Sequence, residues 1–475
     1  MGRGEKDSSA TGRTRRVSFV GRFISKENVM KTSGGIRLAV AGVVVMMAIP
    51  VMAAGKVCDV KKYGATGDGT TKDTAAIQKA VDECSSGKGG GTVVLEAGTY
   101  VSAPILLKSN MTFELKKGAT LLGSPDHEDY PEITEFKVRG HQALLSTVNA
   151  ENVSITGEGT IDGNGASWWH IQRPGGPRPA GAPGAVPGAA PAAGMPGLPG
   201  GQRPAERPRL VVFDHSKHVS LMGVTVKNSP FWTVVPYYSD DVTIKNVRIT
   251  ATLPSPNTDA IDPFSSSNVV IDHVYADVGD DNVAIKSGQV NSPGPDDPSK
   301  NITITDCTFE HGHGVSIGSE IAGGVQNVRV ERVSFKGTDQ GVRIKANRDR
   351  GNDVSNIVFK DITMDGVKTS ILISEYYPKA MPDGPVEAAP VTRLTPKFHN
   401  IRIENLKSIN SPWAGVIVGL PESHVLDIEL KNVDIQATKG FQVGFADVKT
   451  DGFKVTTTDG SKPITLGEDG VVTSK

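Results

Sequence analysis

Four short segments in the middle of the chain combine acidic, imidazole and cationic side chains. They are Asn257-Thr258-Asp259, Gly279-Asp280-Asp281, Gly312-His313-Gly314 and Arg343-Ile344-Lys345. Carboxylates that lie close together repel each other, which raises the pKa of at least one of them. One carboxyl group can then act as a general acid beside another that acts as a base, as glycoside hydrolysis requires. The guanidinium and ammonium groups of the last segment could bind the carboxylates of an acidic sugar.

Each segment also has a simpler interpretation when it is taken alone. Paired aspartates commonly form a solvated turn, Gly-His-Gly commonly forms a loop, and Arg-x-Lys is common on the solvent face of a strand. An acidic ladder could instead bind calcium, although the neighbouring cations argue against this. The case for a catalytic site therefore depends on whether the fold brings the four segments together.

A recurring sequence pattern indicates how the segments are positioned. A polar residue precedes two short stretches of alternating β-branched or apolar residues, and most successive copies begin about 23 to 33 residues apart. The copies begin at Asn152, His218, Asp241, Asn268, Asn301, Asn327, Asn356, Asn400 and Asp427. A repeat of this length indicates a solenoid, and the alternation indicates strands with one face in a narrow core, so we predict an all-β parallel β-helix. A helical solenoid would need a period of about 3.6 residues, and a sandwich would need regular hairpin turns.

With this repeat, the spacing of the four segments along the sequence predicts how far apart they lie in the fold. Asp259 and Asp280 are separated by about one coil, as are Asp281 and His313, and then His313 and Arg343. Neighbouring strands stack about 4.8 Å apart, so the segments should form a ladder of roughly 15 Å with carboxylates at one end and cations at the other. Alternation should point the two cations outward and the isoleucine between them inward. The glycine before the paired aspartates should permit a bend that lets both face outward.

We predict that residues 55–475 form a single β-helix domain. The stretch Thr74–Cys84 is amphipathic and should cap the N-terminal end of the solenoid, with Asp73 as the N-cap residue. A Pro-, Gly- and Ala-rich insertion at about 174–208 should be disordered. It is either an inert insertion or an arm that lies beside a groove of the solenoid.

Charge and cysteine content limit the possible partners and compartment. The formal net charge of −1 gives no overall attraction to nucleic acid or to an anionic membrane, so we expect neither as a partner. Cys58 and Cys84 could form a disulfide in an oxidising compartment or remain free thiols. Cys307 should be a small buried apolar residue.

Residues 1–54 are predicted to be a basic leader and a signal peptide. The apolar stretch Leu38–Val51 follows basic residues and runs into small residues suited to cleavage. It is shorter than the roughly 20 residues that a membrane span needs, so we expect no membrane association after cleavage. Met30 is the expected true start, and Arg15-Arg16 lies too far from the apolar stretch for a good twin-arginine signal. We therefore predict a secreted or periplasmic protein.

Several motifs together resemble a known family. They are Tyr63–Val81 (YGATGDGTTKDTAAIQKAV), IDGNG with Trp168-Trp169, SPNTDAIDP, GDDNVAIKSG, GHGVSIGSE, GVRIK and Tyr376-Tyr377. In these motifs, from about Cys58 onward, the chain is similar to the polygalacturonase (pectinase) family of glycoside hydrolases, family 28. The resemblance implies a single-stranded right-handed parallel β-helix. It also implies hydrolysis of α-1,4-galacturonosidic bonds in polygalacturonan (pectin).

The resemblance also implies a role for each site residue. Asp280 would be the general acid, Asp259 and Asp281 would activate a water for inversion, and His313 would support the acid and the substrate. The substrate-binding residues would be Asn257, Arg343, Lys345 and one of Tyr376 and Tyr377. No metal or other cofactor is implied, and we expect a monomer.

Three positions depart from the family pattern. Ala260 replaces a frequent glycine and Asn282 a frequent cysteine, and both changes are expected to be tolerated. Val235 stands where many relatives have histidine, which could alter one sugar subsite.

Alternative functions remain compatible with the sequence. They are hydrolysis of rhamnogalacturonan or xylogalacturonan, calcium-dependent pectate lyase activity, and carbohydrate binding by an inactive β-helix. We favour exo over endo action, because the stretches 173–209 and 376–396 could close one end of a groove.

Overall fold

Parallel strands stack into three faces of a right-handed β-helix, which confirms the predicted fold class. The computed structural model describes residues 55–86, 90–135, 137–169, 206–288 and 297–474. The predicted leader, residues 1–54, lies outside these residues. The predicted disordered insertion also lies outside them, except for its last three residues.

Successive coils place one strand on each face. Face 1 contains Lys56–Asp59, Gly91–Leu95, Met111–Leu115, Glu151–Gly157, Lys217–Met222, Asp240–Lys245, Ser267–Asp272, Ser299–Thr305 and Gly470–Ser474. Face 2 contains Asp68–Lys72, Gly98–Ser102, Ala119–Gly123, Thr160–Asp162, Thr225–Lys227, Arg248–Thr250, Tyr275–Asp277 and Thr308–Glu310. Face 3 contains Ile105–Leu107, Leu145–Val148, Val211–Asp214, Val234–Tyr237, Val283–Ile285, Val315–Ile317, Gln340–Lys345, Thr369–Ser374 and Ile464–Leu466.

In the later coils, single strands continue around the corners between faces. They are Val325–Lys336, Asp353–Asp365, Lys397–Val418, Val425–Gly444 and Ala446–Thr457. The remaining elements are the hairpin Glu132–Glu135 and Val138–His141, the helix Thr74–Ser85, and the 3-10 turns Val60–Tyr63, His127–Asp129 and Gly165–Ser167.

The core consists of inward side chains that stack in columns, and each coil adds one residue to each column. On face 1, Ile271 pairs in register with Ile304, and Ile304 pairs with Val330. On face 2, the rings of Phe309 and Phe335 lie 5.7 Å apart between centroids. All of these side chains are buried. The alternation seen in the sequence is therefore the alternation between this core and the outer surface.

The polar residue that begins each sequence repeat occupies a corner with positive backbone φ. Asn268, Asn301, Asn327 and Asn356 have φ values of 55° to 59°. Asparagine tolerates this left-handed region better than most residues. The Nδ2 atom of each later asparagine donates to Oδ1 of the preceding one at 3.0 to 3.1 Å. The repeat therefore begins with a polar residue because the corner demands one, and the side chains connect successive coils.

The helix Thr74–Ser85 covers the N-terminal end of the solenoid, as predicted. Its buried face includes Ile77 and Val81. Asp73 is the N-cap residue, as predicted, but its side chain makes no hydrogen bond to the helix. Its carboxylate instead accepts hydrogen bonds from Thr66 N at 2.7 Å and from Gly67 N at 3.0 Å. Asp73 therefore holds the preceding loop rather than the first turn of the helix.

The structure resolves the two alternatives for the cysteines. Cys58 and Cys84 form a disulfide that joins the first strand of face 1 to the capping helix. Cys307 is a free buried thiol in the core, as expected, and burial raises its pKa to about 12.

Among the described residues, no helix is both long and apolar enough to cross a membrane. The apolar stretch that was predicted to be a signal lies outside those residues.

The asparagine corner predicts a difference between two substitutions at Asn327. Asn327→Ala should lower the free energy of unfolding by about 1–2 kcal/mol, because alanine is disfavoured at positive φ. Asn327→Gly should cost less, because glycine adopts this conformation readily although it also loses the ladder bonds. Chemical unfolding of both variants would measure the difference, and equal losses would show that the backbone conformation does not matter.

Candidate active site

The four segments meet on face 3, one coil apart, as their spacing predicted. Val283, just after the paired aspartates, is in register with Val315, just after His313. On the next coil, Ser316 is in register with Arg343. Ile261, two residues after Asp259, bridges Val283. The register therefore places all four segments on consecutive coils.

Glycines permit the close backbone approaches at this site. A Cβ atom on Gly279 would lie 2.1 Å from the carbonyl oxygen of Ser255, so no larger residue fits there. Gly312 and Gly314 have φ values of +75° and +74°, and a Cβ on Gly312 would lie 2.3 Å from the carbonyl oxygen of Asp280. Glycine is thus needed on both sides of His313, whereas at Gly279 the requirement is space rather than positive φ.

Asp281 is the most strongly bound carboxylate of the site. Its Oδ1 accepts hydrogen bonds from Ser316 Oγ at 2.7 Å and Arg343 Nη1 at 2.8 Å. Its Oδ2 accepts one from Lys345 Nζ at 2.8 Å. Burial opposes ionisation, but Lys345 and Arg343 outweigh it and hold the pKa of Asp281 far below its ordinary value.

These contacts correct the predicted order of charges. Carboxylates and cations do not occupy opposite ends of a ladder, because Arg343 and Lys345 reach back across the intervening coil to Asp281. The inward position of Ile344 between the two cations is confirmed. The site is therefore one compact cluster of opposite charges.

Asp280 is the more exposed of the paired aspartates, with a side-chain exposure of 21% against 2% for Asp281. Its Oδ1 lies 3.0 Å from Nδ1 of His313, and its Oδ2 accepts a hydrogen bond from Asn257 Nδ2 at 3.3 Å. Burial opposes ionisation, but the contact with His313 leaves the pKa of Asp280 below its ordinary value. Despite its own burial, His313 has a raised pKa because of the same contact. The contact therefore favours the charged form of both groups.

A buried lysine beside the carboxylates was missed by the sequence reasoning. Lys286 Nζ lies 3.4 Å from Asp259 Oδ2, 3.4 Å from Asp262 Oδ1 and 3.7 Å from Glu320 Oε2. The same nitrogen lies 4.6 Å from the ring centroid of Trp232. Strand alternation through Ala284 places Lys286 outward, on the side of the site, and this signal could have identified it.

The carboxyl groups with raised pKa values are not those of the Asp280–Asp281 pair. Burial and then the charge of Asp262 raise the pKa of Asp259 well above its ordinary value. Burial raises the pKa of Asp262 to about 7, although Lys286 opposes the shift. Lys286 has a strongly raised pKa despite its burial, because Asp262 and Asp259 favour its charged form. The raised carboxyl pKa that the sequence predicted therefore belongs to the Asp259–Asp262 pair.

Tyr377, rather than Tyr376, lies beside the cations. Lys345 Nζ is 5.4 Å from the ring centroid of Tyr377, and the Arg350 guanidinium is 5.5 Å from it. Tyr376 packs on an outer apolar cluster with Leu372. The structure thus separates two residues that the sequence left equivalent.

Asn257 is held from two sides. Arg207 Nη2 donates a hydrogen bond to Asn257 Oδ1 at 2.9 Å, and Arg207 Nη1 donates one to the carbonyl oxygen of Pro256 at 3.1 Å. The Asn257 amide nitrogen binds Asp280, as described above. Arg207 is one of the last residues of the insertion that was predicted to be disordered. This end of the insertion instead makes defined hydrogen bonds to the site.

The departures from the family pattern have structural explanations. Asn282 Oδ1 accepts a hydrogen bond from Gly314 N at 2.8 Å, so this side chain fixes the loop that carries the histidine. Ala260 is fully buried, and its backbone nitrogen donates to the carbonyl oxygen of Asp281. Val235 is 0% exposed in an aromatic cluster with Phe264, so it cannot contact a sugar directly.

Comparisons with known proteins agree with this geometry. Residues 200–443 match the family described as glycosyl hydrolases family 28, and residues 57–164 match rhamnogalacturonase A/epimerase, pectate lyase-like. A probable polygalacturonase of Vitis vinifera is 30% identical over 82% of this chain and 76% of its own length. An endo-polygalacturonase of Pectobacterium carotovorum is 30% identical over 79% of this chain and 87% of its own length.

A solved structure extends the comparison to three dimensions. The exopolygalacturonase of Thermotoga maritima has a TM-score of 0.69 and 28% identity, covering 86% of this chain and 91% of that one. The family match includes more than half of the chain and all four segments of the site. The chain therefore belongs to glycosyl hydrolases family 28 and is a glycoside hydrolase.

Proposed function

We propose that this enzyme hydrolyses α-1,4-galacturonosidic bonds of polygalacturonan, the acidic polymer of pectin. The observation that carries the proposal is that Asp281 binds Arg343 and Lys345 and lies beside Asp280 and Asp259 in one cluster. Carboxylates provide acid and base groups, and the cations match a sugar that carries its own carboxylate. The relatives described above are named polygalacturonases, which supports the same substrate class.

Asp280 is proposed to be the general acid. It is the accessible member of the aspartate pair, so its carboxyl group can reach a glycosidic oxygen. In the substrate-free site His313 favours its ionised form. A bound galacturonate would bring a further negative charge and exclude water, and both effects raise the pKa of a carboxyl group. Substrate binding would thus prepare Asp280 for proton donation.

Asp259 and Asp281 are proposed to activate the attacking water. Asp281 is held ionised by two cations, and Asp259 Oδ1 accepts no hydrogen bond from the residues that the structure describes. Water oxygen would bond to the anomeric carbon while the glycosidic C–O bond breaks. The leaving oxygen takes the proton of Asp280, and the water proton passes to the base. One such displacement inverts the anomeric configuration.

Arg343 and Lys345 are proposed to bind the sugar carboxylate beside Tyr377. Both cations contact Asp281, so they already lie at the reacting end of the site. A planar guanidinium can bind a carboxylate through two parallel hydrogen bonds, whereas an ammonium acts as a point charge. The choice of polygalacturonan as the substrate, over xylogalacturonan and rhamnogalacturonan, is part of this proposal.

Calcium-dependent lyase chemistry is less well supported by the charges of the site. Asp280, Asp281 and His313 have ligand atoms close enough together to share an ion. Calcium, however, prefers six to eight oxygen ligands, and two cations already neutralise Asp281. A purely carbohydrate-binding role is also less well supported, because binding alone does not require carboxylates that can act as acid and base.

We also propose that the protein is exported. The support is the disulfide between Cys58 and Cys84, because disulfides persist in oxidising compartments. The basic and apolar leader of the sequence points in the same direction.

Exo action is proposed from the stretch 376–396. Arg348 Nη2 donates hydrogen bonds to Glu422 Oε2 at 2.9 Å and to the carbonyl oxygen of Glu387 at 2.7 Å. The stretch begins beside the cations, where the Tyr377 ring centroid lies 5.4 Å from Lys345 Nζ, and Arg348 holds its middle part at Glu387. A wall fixed there would restrict how far a sugar chain extends past the catalytic carboxylates.

Asp280→Asn should reduce the release of reducing ends from polygalacturonate by about 10²–10⁴-fold, because the leaving oxygen loses its proton donor. Asp272→Asn, on face 1, is the matched control and should retain activity. Unchanged activity of Asp280→Asn would refute the mechanism. Products that absorb in the ultraviolet and disappear with a chelator would indicate a lyase instead.

The acid limb of the pH–activity profile should shift when Asp262 is replaced. A base must be ionised, and the neighbouring charge of Asp262 raises the pKa of Asp259. Asp262→Asn removes that charge, so the pKa of Asp259 should fall and the acid limb of kcat/KM should move to lower pH. Profiles of wild type, Asp262→Asn and Asp272→Asn test this, and a shift to higher pH would contradict it.

Early products should distinguish exo from endo action. Chromatography at low conversion of polygalacturonate should show only mono- or digalacturonate if one end of the groove is closed. A ladder of intermediate sizes would show that the groove is open at both ends and would overturn the exo proposal.

A further inference from the structure

A second polar cleft lies on face 3, away from the catalytic carboxylates. It has a volume of about 550 Å³, within the range of ligand sites. Its lining includes Trp413, Lys439, Gln442, Ser461 and Lys462. None of these residues takes part in the catalytic site described above.

The strand register connects this cleft to the active site. Arg343 pairs with Leu372, Leu372 with Val416, Val416 with Gln442, and Gln442 with Thr465. Gln442 therefore lies three coils beyond Arg343 on the same outer column, at roughly 14 Å for strands stacked about 4.8 Å apart. A linear sugar chain on this face could contact both places.

The charged groups of the cleft are available for a ligand. The side chains of Lys439 and Lys462 are exposed, and among the described residues neither side chain donates a hydrogen bond or forms an ion pair. Trp413 is in register with Lys439, and Phe441 with Ile464, so the two lysines lie on successive coils. Asp459 is the one carboxylate among the lining residues, which leaves an excess of positive charge.

The cleft also offers an aromatic surface. Trp413 is half-buried and packs against the outer apolar cluster that contains Val416 and Leu372. An indole and two ammonium groups are suited to a sugar ring that carries a carboxylate.

We propose that this cleft is an accessory binding site for acidic polysaccharide, in which Lys439 and Lys462 bind uronate carboxylates and Trp413 packs against a sugar ring. The choice of polyuronate rests on the proposed function. The site would hold the polymer on the face that carries the catalytic carboxylates and so raise its local concentration there.

Binding can be measured without digestion in the Asp280→Asn background. Affinity electrophoresis in gels containing polygalacturonate should show retention of this variant. Adding Lys439→Ala and Lys462→Ala should reduce the retention several-fold and weaken its salt dependence, because two charge contacts are lost. Trp413→Ala should reduce retention too. The matched control adds Lys217→Ala and Lys397→Ala, which remove equal charge from face 1 and should have no effect.

The outcomes separate the two proposals. Retention that is equal with and without Lys439 and Lys462, or no retention at all, overturns the accessory site. Wild-type hydrolysis of polygalacturonate tests the proposed function independently. Lysine-dependent retention without hydrolysis would refute the activity but keep the binding site, and hydrolysis with lysine-independent retention would do the reverse.

Discussion

The in-register stacking of coils is the constraint on which the rest of the structure depends. Each outward side chain has a neighbour on the next coil about 4.8 Å away, and backbone hydrogen bonds fix which residue that is. The pairing of Val283 with Val315 and of Ser316 with Arg343 therefore determines which charges meet. Corners that require positive φ, such as those at Asn301 and Asn327, keep that register from one coil to the next.

The electrostatics of the site follow from this enforced proximity. Three carboxylates cannot all be buried and ionised in one place without compensation. Asp281 is compensated by two cations from a later coil, whereas Asp259 and Asp262 share one lysine and their pKa values rise. The site thus holds carboxyl groups whose pKa values are shifted in opposite directions, and such a difference favours general acid and base catalysis.

The sequence predicted those features that depend on periodicity, and it missed those that depend on side-chain reach. Alternation and repeat length were sufficient for the fold and for the inward position of Ile344. They could not show that Arg343 extends back to Asp281, because spacing locates backbones and not the ends of long side chains. The N-cap position of Asp73 was also predicted, but its side-chain contacts were not, since backbone nitrogens of a neighbouring loop bind its carboxylate. Roles of individual site residues remain predictions from family resemblance and geometry.

The register also limits where the solenoid can change its length. A whole coil added between Val283 and Arg343 would move Arg343 and Lys345 a further 4.8 Å or so from Asp281, beyond the reach of their present contacts. A coil added after Thr369–Ser374 would leave those contacts intact and would move the Trp413 cleft further along the solenoid axis. The number of coils is therefore tightly constrained between Val283 and Arg343 and adjustable after Ser374. The distance between the carboxylate cluster and the Trp413 cleft can thus change in evolution without altering the contacts of the cluster.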